Sequence, residues 1–234
     1  MNKRTTIKPP FFEIGPKSYL VGDEVLELAL YADEAAKKYD VDIIFTTPVV
    51  DIRRVAEATE RIFVFAPHMD PIVPGRGLAD TLPESLVAAG AKGVMLNHAE
   101  KPITLSALAK TIKRAKEVGL MTIVCTDTIA EAKAVACLSP TIIVAEPTEL
   151  IGTGKTSDMD YVKASIEAIK SVDPNILVLQ GAGISNGNDV YNVIHAGAEA
   201  TGSSSGVVKA PSRKAMVDEM IGAARRAWDE LHVM

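Results

Sequence analysis

A glutamate stands at the point where one apolar run of this chain ends. The run is Thr141–Ala145, whose composition is typical of a buried strand, and the glutamate is Glu146. Pro147 then restricts the backbone, and Gly152 and Gly154 give the end of the following loop conformational freedom. A carboxylate at a strand end, followed by a loop that is stiff at its start and flexible at its end, is typical of a general base beneath a closing lid.

Two loops of small residues indicate a binding site for an anion. They are Gly181–Gly183 and Ser204–Gly206, and each lies between a predicted strand and a predicted helix. Small side chains let an anion approach backbone N–H groups, and the N-terminal end of a helix dipole favours negative charge. The loops therefore predict a phosphate site, although small residues at these positions would also suit simple tight turns.

The segment Gly154-Lys155-Thr156 is similar to the end of a nucleotide-binding P-loop. That motif requires a glycine five residues before Gly154, where this chain has Glu149. We therefore exclude a nucleoside triphosphate site here. Gly152 and its neighbours could instead close over a phosphate when the lid shuts.

These groups must be positioned by regular elements, and the chain alternates strand and helix patterns eight times. A helical stripe of apolar residues occurs at Asp23–Tyr39, at Ser106–Val118 and at Ala210–Leu231. A spacing of about 30 residues per unit predicts parallel strands joined by right-handed crossovers. The predicted strands are Phe11–Gly15, Val41–Thr47, Ile62–Ala66, Gly93–Asn97, Met121–Cys125, Thr141–Ala145, Ile176–Gln180 and Ala198–Ser203.

Eight such units predict a fold of the α/β class, a (β/α)8 barrel that forms a single domain over residues 1–234. The alternative is an open doubly wound sheet, which usually has fewer strands and a Gly-x-Gly-x-x-Gly turn after the first. Here Pro16 and Lys17 follow the first strand, so the barrel is favoured. Active-site residues of such barrels lie at the carboxyl ends of the strands, which would bring Lys17, His98 and Glu146 to one face.

Composition limits the remaining possibilities. Of 234 residues, 47% are hydrophobic and only 5% aromatic, so we expect a core of Val, Ile, Leu and Ala. The net charge of −5 argues against nucleic-acid and anionic-membrane partners.

The sequence has no apolar run long enough to span a membrane and no apolar core of a signal peptide, so we expect a cytoplasmic protein. In a reducing cytosol, Cys125 and Cys137 are expected to be buried thiols rather than a disulfide.

Taken together, the motifs resemble the triosephosphate isomerase family, most closely its shorter archaeal-type branch. Ala145–Lys155 matches the catalytic glutamate and lid of that family, and Leu96–Lys101 is similar to its histidine motif. Gly181–Ser185 and Ser204–Ala210 resemble its two phosphate loops. The resemblance covers nearly the whole chain and implies a TIM barrel.

The resemblance also implies a reaction, the transfer of a proton between adjacent carbons of a phosphorylated ketose and aldose. Glu146 would be the carboxylate base, and a neutral His98 would polarise the carbonyl. Lys17 would hold positive charge near the phosphate and the developing enediolate. Glu100, two residues after His98, would be a supporting carboxylate.

On the same resemblance, a small phosphorylated sugar is the expected substrate and no cofactor or metal is implied. The leading reaction is the interconversion of dihydroxyacetone phosphate and D-glyceraldehyde 3-phosphate. The alternatives are an isomerase for a four- or five-carbon sugar phosphate and a non-catalytic phosphate-binding barrel. A homodimer or homotetramer is expected. Backbone N–H groups would bind the phosphate at Gly152, Gly183, Ser205 and Gly206.

Two departures from the family pattern affect these expectations. The family normally has an asparagine two positions before the lysine, and this chain has Gly15. The family's threonine-glycine element, where one subunit reaches into its neighbour, is replaced by Leu78-Ala79. The loss of an amide would enlarge the site near the carbonyl, which makes a different or longer ketose phosphate plausible.

The other histidines are expected to lie outside the chemistry. His68 and Asp70 have a spacing that could bind a metal, but no third ligand is evident, and we interpret them as loop structure. His195 and His232 lie on predicted helices and are expected at the surface.

Overall fold

The computed structural model describes residues 4–150, 159–181 and 183–232. Within these residues, eight strands close into a barrel in chain order, and the eighth strand pairs with the first. Every neighbouring pair is parallel, as predicted. The strands are β1 Phe11–Ile14, β2 Asp42–Thr46, β3 Phe63–Ala66, β4 Gly93–Leu96, β5 Met121–Thr126, β6 Ile142–Ala145, β7 Leu177–Gln180 and β8 Ala200–Ser203.

Helices follow the strands and form the outer layer. Two single 3-10 turns, Val49–Asp51 and Thr148–Leu150, also occur among the described residues. The α-helices are α1 Asp23–Tyr39, α2 Ile52–Ala58, α3 Pro83–Ala89, α4 Leu105–Glu117, α5 Ile129–Ala136, α6 Met159–Lys170, α7 Gly187–His195, α8 Ser205–Val208 and α9 Arg213–His232.

The (β/α)8 prediction is confirmed, and the predicted strand boundaries lie within two residues of those observed. Helix α1 has the predicted bounds. The predicted last helix starts later than expected, at Arg213, because the short helix α8 and a turn precede it. Helix α9 packs against α1 and α7, which closes the outer layer where the barrel's last and first units meet.

The composition of the core differs in part from the prediction. All five phenylalanines of the chain are fully buried on β1, β2 and β3, beside the expected aliphatic residues. Phe65 points into the barrel, where a side chain on Gly93 would collide with its ring. The glycine in β4 therefore makes room for the aromatic ring of β3. A low aromatic content limits how many rings a core has, but not where they lie.

Both cysteines are free thiols, as predicted, but only Cys125 is buried, whereas Cys137 is exposed. Cys137 lies at the end of α5, where its thiol contacts the carbonyl of Lys133 instead of the core. Among the described residues, no helix has both the length and the apolar character needed to cross a membrane.

Candidate active site

A cavity of about 810 Å3 opens at the carboxyl ends of the strands. Its wall includes residues at or near the ends of all eight strands, which are remote in sequence. Gly152 lies outside the described residues, as do its neighbours in the range 151–158. The described residues of the predicted site all line this cavity, namely Lys17, His98, Glu100, Glu146, Gly183, Ser205 and Gly206.

Lys17 follows β1 and has a left-handed backbone conformation, with φ of +48°. This conformation is uncommon for a residue with a side chain and usually marks a functional or structural constraint. The side chain is 23% exposed, and its Nζ lies 3.0 Å from Oε1 of Glu100. The ammonium group is therefore held toward the loop after β4 instead of extending into solvent.

The loop that carries His98 is held by its neighbour Asn97, which also has a positive φ of 57°. The Asn97 amide donates to the carbonyl of Cys125 at 3.0 Å and to Oε1 of Glu131 at 3.2 Å. Its Oδ1 accepts from the Ile103 N–H at 3.1 Å. One side chain thus fixes both ends of the loop against β5 and α5.

The environment of His98 favours a neutral imidazole. Burial lowers the His98 pKa, and the nearby charge of Lys17 lowers it further, whereas the Glu100 carboxylate acts in the opposite direction. The backbone N–H of Glu100 donates to Nδ1 of His98 at 3.1 Å. Because Nδ1 accepts this hydrogen bond, the neutral ring carries its proton on Nε2 and can donate it there.

Glu100 lies at the rim of the cavity and is largely exposed. Its hydrogen bond from Lys17 holds the pKa of the Glu100 carboxyl below its ordinary value. An ionised Glu100 anchors the lysine, and its backbone orients the histidine. The structure therefore places Glu100 beside both groups, although its predicted supporting role stays a prediction.

Glu146 follows β6, where its backbone N–H donates to the Thr126 carbonyl at 3.0 Å. The side chain is half-buried and lines the cavity. It packs closely over Gly181, where a Cβ would lie only 2.9 Å from Cδ of Glu146. The small residue after β7 thus leaves space for the carboxylate of the neighbouring strand.

The two small-residue loops lie against each other. Gly183 adopts a φ of +72°, which favours glycine. The Ser203 hydroxyl donates to the Ile184 carbonyl at 2.7 Å and joins the end of β8 to the loop after β7. A Cβ on Gly206 would lie 2.6 Å from the same carbonyl oxygen, so glycine is required there. Ser205 and Gly206 form the first turn of α8, where helix N–H groups lack partners within the helix.

The sequence analysis missed Glu13, which lies on β1 and lines the same cavity. Burial is the main cause that raises the Glu13 pKa to about 7; the Glu146 charge raises it too, while the Thr46 side chain and Lys17 lower it. A glutamate within the apolar run Phe11–Ile14 was the signal that could have revealed it. Asn97 was also missed as a positioning residue.

The space beside Gly15 is not open. A Cβ on Gly15 would lie 3.1 Å from Oε1 of Glu13 and 3.3 Å from Oγ of Ser204. The missing side chain therefore does not simply enlarge the cavity, because two polar groups of other residues occupy the adjoining volume.

The remaining histidines lie where predicted. His68 contacts Asp70 at 3.2 Å, and Asp70 Oδ2 accepts from the Thr81 N–H at 2.7 Å, which closes the loop after β3. No group of His, Cys, Asp or Glu suited to a metal ion occurs in residues 4–150, 159–181 and 183–232. His195 and His232 are exposed at the ends of α7 and α9.

Comparison with known proteins agrees with this arrangement. The family model described as triosephosphate isomerase matches residues 16–220. The chain is 36% identical to the triosephosphate isomerase of Methanothermus fervidus over 217 residues, which are 91% of this chain and 97% of that protein. It is 38% identical to the triosephosphate isomerase of Methanocaldococcus jannaschii, with 86% and 93% covered. The corresponding enzyme of Saccharolobus solfataricus is 33% identical, with 94% and 99% covered. The chain therefore belongs to the triosephosphate isomerase family.

Proposed function

We propose that this chain is an isomerase that interconverts dihydroxyacetone phosphate and D-glyceraldehyde 3-phosphate. The observation that carries the proposal is the convergence of Lys17, His98 and Glu146 on one cavity beside two loops of small residues. A carboxylate, a neutral imidazole and a cation are the groups that proton transfer through an enediolate requires.

Glu146 is the proposed base. It takes a proton from one carbon of the ketose phosphate and returns it to the adjacent carbon. Its backbone bond to Thr126 and its contact with Gly181 fix the position of the carboxylate at the cavity wall. A base fixed in this way can reach both carbons with little reorganisation.

His98 and Lys17 are proposed to stabilise the negative charge that develops on the oxygens. The Nε2–H group of a neutral His98 donates to the carbonyl oxygen as the enediolate forms. Lys17 adds positive charge at the same side of the cavity, where Glu100 holds its ammonium group. Fixed donors aimed at developing charge are usually the largest contribution to such reactions.

The phosphate is proposed to bind at Gly183, Ser205 and Gly206, whose backbones lie at the cavity wall. The hydrogen bond from Ser203 to Ile184 holds the two loops together, so N–H groups from both can face one anion. Gly152, outside the described residues, is the fourth proposed contact.

Deuterium exchange tests the proposed function. We expect the purified protein in D2O to convert dihydroxyacetone phosphate to glyceraldehyde 3-phosphate that carries deuterium at C2, because the base exchanges its proton with solvent. Mass spectrometry of the product gives the answer. If the sugar phosphate raises the melting temperature while no deuterium enters it, the protein is a non-catalytic phosphate-binding barrel.

The second candidate is an isomerase for a four- or five-carbon ketose phosphate, and Gly15 is the observation that favours it. Position 15 has no side chain, and the polar groups that adjoin it, the Glu13 carboxyl and the Ser204 hydroxyl, suit the additional hydroxyl groups of a longer substrate. A comparison of kcat/KM across three-, four- and five-carbon ketose phosphates separates the two. A value for a longer sugar that exceeds the triose value at least tenfold would replace the leading assignment.

We also propose that the protein is a homo-oligomer. Large apolar side chains on the loops after β2 and β3 stand in solvent, among them Val50 at 89%, Val73 at 62% and Leu78 at 102% exposure. Exposed apolar patches often mark protein contacts. We expect sedimentation to give a dimer or tetramer of the 24.9 kDa chain, and Leu78→Asp to shift it toward monomer. A wild-type monomer at micromolar concentration would contradict this.

We also propose that the protein is located in the cytoplasm. It is supported by the two free thiols, Cys125 and Cys137, since exported proteins more often oxidise their cysteines.

A further inference from the structure

Glu13 is a carboxyl group in the cavity for which the proposed reaction has no role so far. It lies on β1, opposite Ile44 of β2 and Gly202 of β8 in the strand registers. Its side chain is on the same wall as Lys17 and shares the cavity with His98 and Glu146. Burial of an acidic group among apolar strand residues costs free energy of folding unless a neighbouring group or a ligand forms hydrogen bonds with it.

Two glycines leave space for this carboxyl. A Cβ on Gly15 would lie 3.1 Å from Oε1 of Glu13, and a Cβ on Gly202 would lie 3.2 Å from Oε2. A Cβ on Gly202 would also lie 2.9 Å from the Glu13 Cβ. Side chains at both flanking positions would therefore displace the carboxyl. Glycine at positions 15 and 202 therefore leaves room for the Glu13 carboxyl in the barrel.

The charged groups that face Glu13 come from several elements. Glu146 after β6 repels its ionised form, and Lys17 after β1 attracts it. Burial raises the pKa of the Cys125 thiol on β5, and the charges of Glu146 and Glu13 raise it further. With burial added, the Glu13 pKa is about 7, so the neutral carboxyl is well populated near neutral pH. A neutral carboxyl both donates and accepts hydrogen bonds.

We infer that Glu13 is a substrate-binding residue of this site, whose protonated carboxyl donates a hydrogen bond to an oxygen on the reacting carbons of a ketose phosphate. The inference rests on the proposed function and deepens it. The substrate phosphate and the enediolate are anionic, so the ionised form of Glu13 repels them and the neutral form binds them. A carboxylic acid held neutral in an apolar site can stabilise a developing oxyanion in this way.

The sign of the pH dependence follows from this role. Below the Glu13 pKa of about 7 the donor is present, and above it the donor is lost and a negative charge appears. Activity should therefore fall as the pH rises through about 7. In Glu13→Gln the side chain donates at every pH, so this fall should disappear.

The test compares Glu13→Gln and Glu13→Ala with the wild type from about pH 6 to about pH 9. For Glu13→Gln we expect kcat/KM for dihydroxyacetone phosphate within about tenfold of wild type at pH 6. Above that pH, kcat/KM of this variant should not change with pH. For Glu13→Ala we expect a loss of about 10²- to 10³-fold. Affinity for inorganic phosphate, measured by calorimetry at about pH 6 where most Glu13 is neutral, should stay unchanged in both variants. Glu57→Gln on α2, an exposed residue outside the cavity, is the matched control.

The outcomes separate the two proposals. A wild-type protein with no activity on triose phosphate contradicts the proposed function, and the same comparison is then made with the longer ketose phosphate that it converts. A protein that converts no ketose phosphate overturns both proposals. A Glu13→Ala variant with wild-type kcat/KM overturns the role of Glu13. If Glu13→Ala fails to fold, the glutamine variant decides, because an unchanged fall in activity near pH 7 in Glu13→Gln also overturns it.

Discussion

Replacement of Glu146 by glutamine should lower the turnover of dihydroxyacetone phosphate by about 10²- to 10⁴-fold, the usual contribution of a general base. The physical reason is that an amide cannot accept a proton from carbon. The shape of the side chain is retained, so its packing over Gly181 and the backbone bond to Thr126 should persist. KM should change little, because the side chain of residue 146 is not among the proposed phosphate contacts.

Steady-state kinetics and deuterium incorporation measure this effect, and thermal unfolding verifies that the fold is intact. Glu167→Gln is the matched control, since that residue is an exposed glutamate on α6 and does not line the cavity. A correctly folded Glu146→Gln protein with full turnover would show that another group is the base.

Removal of the Lys17 side chain should lower kcat/KM by about 10²- to 10³-fold or more, through both a higher KM and a lower kcat. Its charge acts on Glu13, His98 and Glu100 as well as on the substrate. Without it the pKa values of all three residues should rise, because Lys17 lowers each of them in the wild type. NMR titration of the His98 ring follows this shift independently of activity.

The backbone of Lys17 requires a second variant. Its φ of +48° strains alanine but not glycine, so Lys17→Ala and Lys17→Gly share the loss of charge and differ in strain. We expect both to lose activity to a similar extent, whereas Lys110→Ala on the exposed face of α4 should resemble wild type. If Lys17→Gly keeps wild-type kcat/KM, then the charge of the lysine is not required for the reaction.

The strand and helix pattern was enough to predict the barrel. Short apolar runs suited to strands buried on both faces alternate with amphipathic stripes such as Asp23–Tyr39, and this order permits few topologies. The (β/α)8 arrangement in turn predicted that residues after different strands meet at one end. Lys17, His98 and Glu146 therefore could be grouped before any distance was known.

Other features depend on contacts between residues that are distant in the chain. The direction of Glu13 into the cavity depends on strand register and on Gly202, which lies 189 positions later. The tautomer of His98 depends on the backbone N–H of Glu100. The position of its loop depends on the hydrogen bonds of Asn97 to Cys125 on β5 and to Glu131 on α5.

Local periodicity thus specifies which elements form and in what order, because burial of apolar faces depends mainly on residue type and spacing. The protonation states and donor directions within the cavity are set by the tertiary structure. Desolvation and charge act through space over a few ångströms, and only the closed barrel brings Glu146 within that range of Glu13 and Lys17.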